Sequence, residues 1–429
     1  MLKKIQIKGL FDRFDYDIEL KEGGLTILTG PNGYGKTTIL RMIHAFATGN
    51  FVLLFQLPFS ESLLIQDEGK TIHLKNEDDT LVIQTSKDKK HIQLRKKYID
   101  KLQDRLFRNP RYRRLGKNHW VDRRTNVVYT TEDLINKSAE DDPQIQIQFD
   151  DNEPTPDFVD CYFIREQRLI KNISTIDRRS SRYFHDEEIV ENSSNTIEKY
   201  AEELSGKIKG ILAQASKIGQ DLDSSFPERL FDQDESISKE DFDKRYDLVR
   251  KKRESLSRYG LSVTKEEKHT SFKAENAKAL LVYLNDMEKK LAVFDEILHS
   301  LDLFSSILNK QGFVSKRIEI SPEFGFQFKI EDDSELPLAA LSSGEQQEVV
   351  LLYELLFRVA PNTLVLIDEP EISLHVAWQM EFLDDLLKII ELQKITVLVA
   401  THSPDIIDKH EDLVVDLWDL DTGSRENRE

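Results

Sequence analysis

The chain has 429 residues, 39 % of them apolar, which is enough for a sizeable core and for two or three domains. Its 32 % charged residues sum to a net charge of −18, which excludes broad nonspecific nucleic-acid binding but not a local basic patch. The single cysteine, Cys161, excludes intrachain disulfides and a zinc hook of paired cysteines, and no run approaches the ~18 apolar residues of a spanning helix.

At the N-terminus, MLKKIQIKGL has no apolar run before a cleavage site, so it is no signal peptide; with the lone cysteine this predicts a cytoplasmic protein without a membrane domain. Residues 2–8 and 14–20 alternate as half-buried strands around Gly9, and 25–29 (LTILT) is a short buried strand. Residues 30–37 then read GPNGYGKT, the P-loop spacing, between that strand and an apolar helix over 39–46. Gly30, Gly33 and Gly35 let backbone N–H groups curl around phosphates, and the helix N-terminus adds its dipole. Asn32 and Thr38 join them as nucleotide-binding residues. Lys36 would reach the β- and γ-phosphates, and Thr37 would bind Mg²⁺.

Residues 70–96 predict an antiparallel meander, with a helix around 97–107. The segment 105–124, RLFRNPRYRRLGKNHWVDRR, is a basic island in an acidic chain. Arg105, Arg108, Arg111, Arg113, Arg114, Lys117, Arg123 and Arg124 are interleaved with Tyr112, His119 and Trp120. It suits nucleic-acid phosphates with aromatic stacking, an acidic partner, a neighbouring subunit, or the chain's own carboxylates. Residues 149–157 read as a loop and 158–164 as a second buried strand. Three helical stretches follow, near 195–221, 239–258 and 274–309, with SSFPERLFDQDES and RYGLSVTKEEKHT between them. They predict a short arm, since no sustained heptads support a long coiled coil. Strands over 317–330 return to a sheet, and the last residues, from 421, form a tail.

Three further motifs carry chemistry. LSSGEQQ (341–347) places Ser342, Ser343 and Gly344 at a helix N-terminus suited to phosphate. TLVLIDEPE (363–371) ends a buried strand in two carboxylates. Asp368 would hold Mg²⁺ through water, and Glu369 would orient and deprotonate the attacking water. ITVLVATHSP (395–404) is another buried strand with His402 at its C-terminal end, where open α/β sheets bind ligands.

These four elements in this order resemble the ABC-ATPase superfamily: Walker A, signature, Walker B and switch histidine. The resemblance covers roughly the first 50 residues, the strand near 160, and 315–420. It implies an α/β P-loop NTPase fold of ABC type, with a split head, an antiparallel β subdomain and an inserted short helical, coiled-coil-like arm. On that basis 1–50 and 158–190 are head segments, 51–157 a β-rich insertion, 191–312 the arm, 313–420 the C-terminal head and 421–429 the tail. It assigns Gln167, in FIREQRL, as the glutamine that senses Mg²⁺ and the attacking water, and makes Glu369, His402, Gln167 and Lys36 the catalytic set. It also implies that the signature of one subunit caps nucleotide held by another, so that the chain works as a head-to-tail dimer or larger assembly. No Asn-Lys-x-Asp sequence selects guanine, so ATP with Mg²⁺ is expected.

The acidic strand continues as Glu371-Ile372-Ser373-Leu374-His375 rather than as Thr-Ser-Ala-Leu-Asp, which marks transporter ATPases. DEPEISLH with THSP downstream is similar to the soluble branch that includes OLD-family and anti-phage defence ATPases, and the split layout resembles RecF, SMC and Rad50. OLD-family proteins continue into a Toprim nuclease domain, whereas this sequence has 27 residues after His402, so no nuclease activity is expected in this polypeptide. The resemblance is to ATPase subunits of defence systems, AriA-like ones of PARIS first and PtuA-like ones of Septu second. It implies an oligomeric scaffold that holds a separate nuclease or toxin effector and releases it on a phage trigger protein. The alternative is a RecF/SMC-like DNA-maintenance ATPase that clamps DNA.

Overall fold

The computed structural model describes residues 1–48, 50–77, 80–86, 91–95, 100–101, 104–105, 107–114, 119–124, 128–130, 134, 160–164, 193–262, 272–310, 315–372, 374 and 376–420. The chain divides into two compact units, Met1–Ser193 with Arg358–Glu429, and Ser194–Phe357. The boundaries fall at 193/194 and 357/358, so the strands and helix of 316–357 group with the arm helices.

In the first unit the early strands alternate as their sequences do. They are β1 (Leu2–Leu10), β2 (Phe14–Glu19), β3 (Leu25–Thr29), β4 (Glu61–Gln66), β5 (Thr71–Glu77), β6 (Thr80–Thr85) and β7 (His91–Arg95). All but β3 form one antiparallel sheet in the order β2-β1-β4-β5-β6-β7. In β2, Phe14, Tyr16 and Ile18 are buried while Asp15, Asp17 and Glu19 face solvent, the period-two pattern of a sheet with one covered face. β4 has no counterpart in the sequence reading because its buried residues are Ser62, Leu64 and Gln66. Ser62 is tolerated inside because its hydroxyl donates to the Gln6 carbonyl at 3.0 Å. In the basic island β8 (Tyr112–Arg114) and β9 (His119–Asp122) pair, and β10 (Val128–Thr130), just beyond it, completes a small antiparallel sheet. The loop expected at 149–157 lies outside the described residues.

The second sheet of this unit is parallel throughout. Besides β3 it contains β11 (Cys161–Ile164) and three strands from the C-terminal part: β15 (Leu364–Asp368), β16 (Thr396–Ala400) and β17 (Val414–Asp416). Its order is β11-β15-β16-β3-β17. Every residue of β3, β15 and β16 is buried, as expected of continuous apolar runs covered on both faces. The helix Lys36–Ala47 shares one core with both sheets, through Ile39, Leu40, Ile43 and Phe46 against Ile5, Ile18, Leu28, Leu366 and Leu398. Each such side chain contributes about 1.5–3 kcal/mol on burial. Because the strands are parallel and in register, Asp368 pairs with Ala400, Ala400 with Leu28, and Asp416 with Thr29. The residues that follow these strands therefore collect along one edge.

In the second unit the first arm helix runs Ser193–Phe231, through Pro227 and beyond the expected end near 221. A mid-helix proline removes a donor and strains the preceding turn. In the turn before it, Ser224 and Ser225 each donate to the Asp221 carbonyl at 2.9 Å, and Arg229, beyond the proline, reaches back to that of Leu222 at 2.5 Å. Helices Lys239–Ser257, Ala277–Ala292 and Asp295–Lys310 follow. Strands β12 (Lys316–Ser321), β13 (Gly325–Ile330) and β14 (Glu335–Leu336) form an antiparallel sheet. Gly325 has φ 77°, and a Cβ there would run into the carbonyl of Ala201, so the sheet meets the arm helix backbone to backbone. The helix Ser343–Tyr353 and its continuation to Arg358 lie against the same helix. Tyr200 stacks on Tyr353 with ring centroids 4.6 Å apart and donates to Glu354 Oε1 at 2.7 Å.

Candidate functional site

The P-loop follows β3 directly. Gly30, Gly33 and Gly35 have φ of 140°, 89° and 91°, a backbone run that side chains rarely adopt. At Gly35 a Cβ would also sit 2.7 Å from Leu10 Cδ2, whereas at Gly33 it would meet open space. The helix Lys36–Ala47 starts here with no side-chain cap, so its first N–H groups are left for a ligand. Lys36 is only 6 % exposed and donates from Nζ to the Gly30 carbonyl at 2.7 Å. Asn32 and Thr37 are exposed and Thr38 is half-buried.

Asp368, the last residue of β15, is buried, and Thr37 Oγ1 donates to its Oδ1 at 3.0 Å. Glu369 follows at φ 41°, a left-handed conformation that non-glycine residues adopt at a cost of about 1–3 kcal/mol. Its N–H is fixed to the Ala400 carbonyl at 2.9 Å. This swings the carboxylate of Glu369 toward the segment after β16, where His402 Nδ1 lies 3.6 Å from Glu369 Oε1. The edge of the parallel sheet thus brings together Lys36, Thr37, Asp368, Glu369 and His402. A cleft of about 440 Å³ beside them is lined by Thr29, Gly30, Pro31, Asn32, His402, Ile407, Asp416 and Trp418.

Two of these neighbours are not legible as contacts in the sequence. Glu371 is a buried carboxylate 3.0 Å from His402 Nδ1. Its sequence signal was its place in DEPE, visible only as a mark of the branch. Trp418, 45 % exposed, packs at a tilt against Tyr34 of the P-loop with ring centroids 5.6 Å apart, and Tyr34 packs at a tilt against Phe14 at 4.9 Å. It arrives there because β17 pairs with β3, which also sets Leu417 against Gly30.

The signature segment belongs to the second unit. Ser342 caps the helix Ser343–Tyr353 in a reciprocal box: its Oγ accepts from Glu345 N at 3.3 Å and its N–H donates to Glu345 Oε2 at 2.8 Å. Burial pulls the Glu345 carboxyl upward, but the Lys316 ammonium at 2.6 Å and the Ser342 hydrogen bonds outweigh it, and the net shift is downward. Ser342 and Ser343 are exposed and Gly344 half-buried. Gln167 and Lys117 lie outside the described residues.

In the basic island, Arg111 is committed to the interior, with Nη2 at 2.6 Å from Oδ2 of the fully buried Asp122. Arg105, Arg108, Arg113, Arg114, Arg123 and Arg124 are exposed around this small sheet. Among the described residues no helix is long and apolar enough to cross a membrane.

A family model described as AAA ATPase domain matches residues 1–407. The UvrABC system protein A of Clostridium acetobutylicum is 40 % identical over 87 residues, which cover 19 % of this chain and only 8 % of that protein. Among solved structures, the Smc head domain bound to the C-terminal domain of ScpA, from Pyrococcus furiosus, is 16 % identical with a TM-score of 0.40, covering 97 % of this chain and 93 % of that one. The SMC head domain from Thermotoga maritima is 13 % identical with a TM-score of 0.34, covering 97 % and 94 %. Scores this low carry no weight of their own beside the family match. That match runs through the P-loop, the acidic strand and the histidine described above, and the chain belongs to the AAA ATPase domain family.

Proposed function

We propose that this chain binds ATP with Mg²⁺ and hydrolyses it in the manner of ABC-type ATPases. The observation that carries this is the Thr37–Asp368 hydrogen bond at 3.0 Å, which joins the P-loop helix to the acidic strand across 331 residues of sequence. A hydroxyl and a carboxylate are the oxygen donors that Mg²⁺ prefers, so these two residues fit the ion. When bound there, Mg²⁺ would neutralise charge on the phosphates. Lys36 leaves the Gly30 carbonyl for the phosphates. Glu369 takes the proton of the attacking water, and His402 contacts the terminal phosphate. Gln167 joins them as the residue that senses Mg²⁺ and water, on the strength of the resemblance alone. Ser342, Ser343 and Gly344 of a second copy close the site, which makes the active form a head-to-tail dimer or larger assembly.

With the metal-binding pair on the β15 side, the nucleotide extends the other way, past β3 toward β17. Its base then lies against the open face of Trp418. Of the chain's three tryptophans, Trp120 and Trp378 are buried, so collisional quenching of fluorescence reads Trp418. ATP is expected to shield it from acrylamide. Quenching unchanged at saturating ATP would place the base elsewhere.

The biological role we propose is that of a scaffold and sensor subunit of an anti-phage defence system, holding a separate effector. The DEPEISLH continuation and the short arm of 193–310 support it. The exposed arginines around β8 and β9 favour a second role, clamping DNA. Purification of the tagged protein from its native gene neighbourhood separates the two. A co-eluting second protein, with protection against phage, supports the defence role. A lone dimer carrying nucleic acid that salt strips off supports DNA maintenance.

A further inference from the structure

The segment after β15 and the segment after β16 are tied together at Glu371. Its side chain is 8 % exposed. One carboxylate oxygen, Oε1, accepts from Thr401 Oγ1 at 2.8 Å and from the His402 N–H at 3.0 Å, and lies 3.0 Å from His402 Nδ1. The other, Oε2, is enclosed and has no hydrogen-bond partner among the described residues. The same two segments meet again through Gln379. Its Nε2 donates to the Glu371 carbonyl at 3.2 Å, and its Oε1 accepts from Ser403 Oγ at 3.3 Å.

A half-satisfied carboxylate in the interior is a costly way to close a loop, since a neutral acceptor would serve the Thr401 hydroxyl and the His402 N–H as well. What the acid adds is its hold on the imidazole. His402 Nδ1 is 3.0 Å from Glu371 but 3.6 Å from Glu369. A single ring nitrogen is thus placed between two carboxylates and given to the buried one. With Nδ1 engaged, Nε2 is the ring atom left to meet a phosphate oxygen in the cleft that His402 shares with Gly30, Pro31 and Asn32. The carboxylate of Glu369 stays available for water.

We propose that Glu371 is a positioning residue for hydrolysis: it holds His402 by Nδ1, away from Glu369, and so keeps both the histidine and the base in working order. The inference rests on the ATP-hydrolysing reading of this cleft. Removing Glu371 lets the imidazole fall onto Glu369 and occupy the base. The loss falls on turnover, because the P-loop N–H groups and Lys36 carry most of the hold on the phosphates in the ground state, and the single His402 contact adds little to it. Misplacement of this kind costs on the order of 10²-fold in rate.

The test compares Glu371→Ala, Glu371→Gln, His402→Ala and the double variant Glu371→Ala/His402→Ala in ATP turnover and in ATP affinity. The expected result is a loss of about 10²-fold in kcat for Glu371→Ala, with the Kd for ATP within about twofold of wild type. Glu371→Gln, which keeps an acceptor for the three donors, recovers part of it. The double variant is no slower than His402→Ala alone, because Glu371 acts through that histidine. Additive losses, equal losses in kcat and affinity, or wild-type turnover in Glu371→Ala would overturn the proposal. If Glu371→Ala does not fold, Glu371→Gln with and without His402→Ala carries the same comparison. A wild-type protein that binds ATP and never hydrolyses it would instead defeat the reading on which the inference rests.

Discussion

Lys36→Ala is expected to lose ATP affinity by on the order of 10²-fold, measured by calorimetric titration at fixed Mg²⁺. Lys36 is 6 % exposed, and its ammonium is bonded to a carbonyl of the loop it serves. Its desolvation is thus already met before ligand arrives, and ATP exchanges one loop carbonyl for phosphate oxygens carrying full charge. Hydrogen bonds to charged groups contribute about 1.5–3 kcal/mol each, and 1.4 kcal/mol is tenfold in affinity. Truncation removes that contact and leaves the phosphates facing an apolar stub. The fold should tolerate the change, because the Gly30 carbonyl it frees lies at the cleft and can take water. A melting temperature close to wild type, beside the lost affinity, is therefore part of the expected result. Unchanged affinity would mean that the P-loop of this chain does not hold the phosphates.

Glu369→Gln is expected to leave ATP binding intact and to lower turnover by about 10²–10⁴-fold, the range over which a positioned general base acts. The amide has nearly the shape of the carboxylate, and the backbone that places it is anchored through its N–H to Ala400 at 2.9 Å. The left-handed turn at φ 41° is no harder for glutamine than for glutamate. What is lost is the capacity to take a proton from water. Single-turnover hydrolysis, with retention of unhydrolysed ATP on the protein, reads this out. Wild-type turnover would show that the base is another group, and Glu371, two residues on, would then be the first to examine.

Much of this site could be read from residue order because its parts are local. Continuous apolar runs such as LTILT and TVLVA can only be buried strands, and a strand followed by GPNGYGKT dictates its own turn. The edge on which the motifs meet follows from parallel pairing, once three such strands are in one sheet. What stayed hidden is what depends on partners far away in sequence. Ser62 points inward because Gln6 on the neighbouring strand supplies a carbonyl to meet it, and with Gln66 buried as well β4 shows no apolar alternation of the usual kind. Pro227 reads as a breaker, yet Ser224, Ser225 and Arg229 stitch the helix across it. In the acidic strand, Glu371 looks like one more solvated acid until β16 lies beside β15 and delivers Thr401 and His402 to it. The same holds for Trp418, which the pattern LVVDLWDLD places in an acidic stretch and which the β17–β3 pairing carries to the P-loop.

The central claim is that this site turns over ATP and needs a second copy to do so. It is tested most directly by phosphate release per chain, measured in saturating ATP·Mg²⁺ over a range of protein concentrations. The account expects Lys36-dependent release whose rate per chain rises with concentration and then levels off as the assembly forms. No release at any concentration, or a rate per chain that is flat and indifferent to Lys36→Ala, would contradict it.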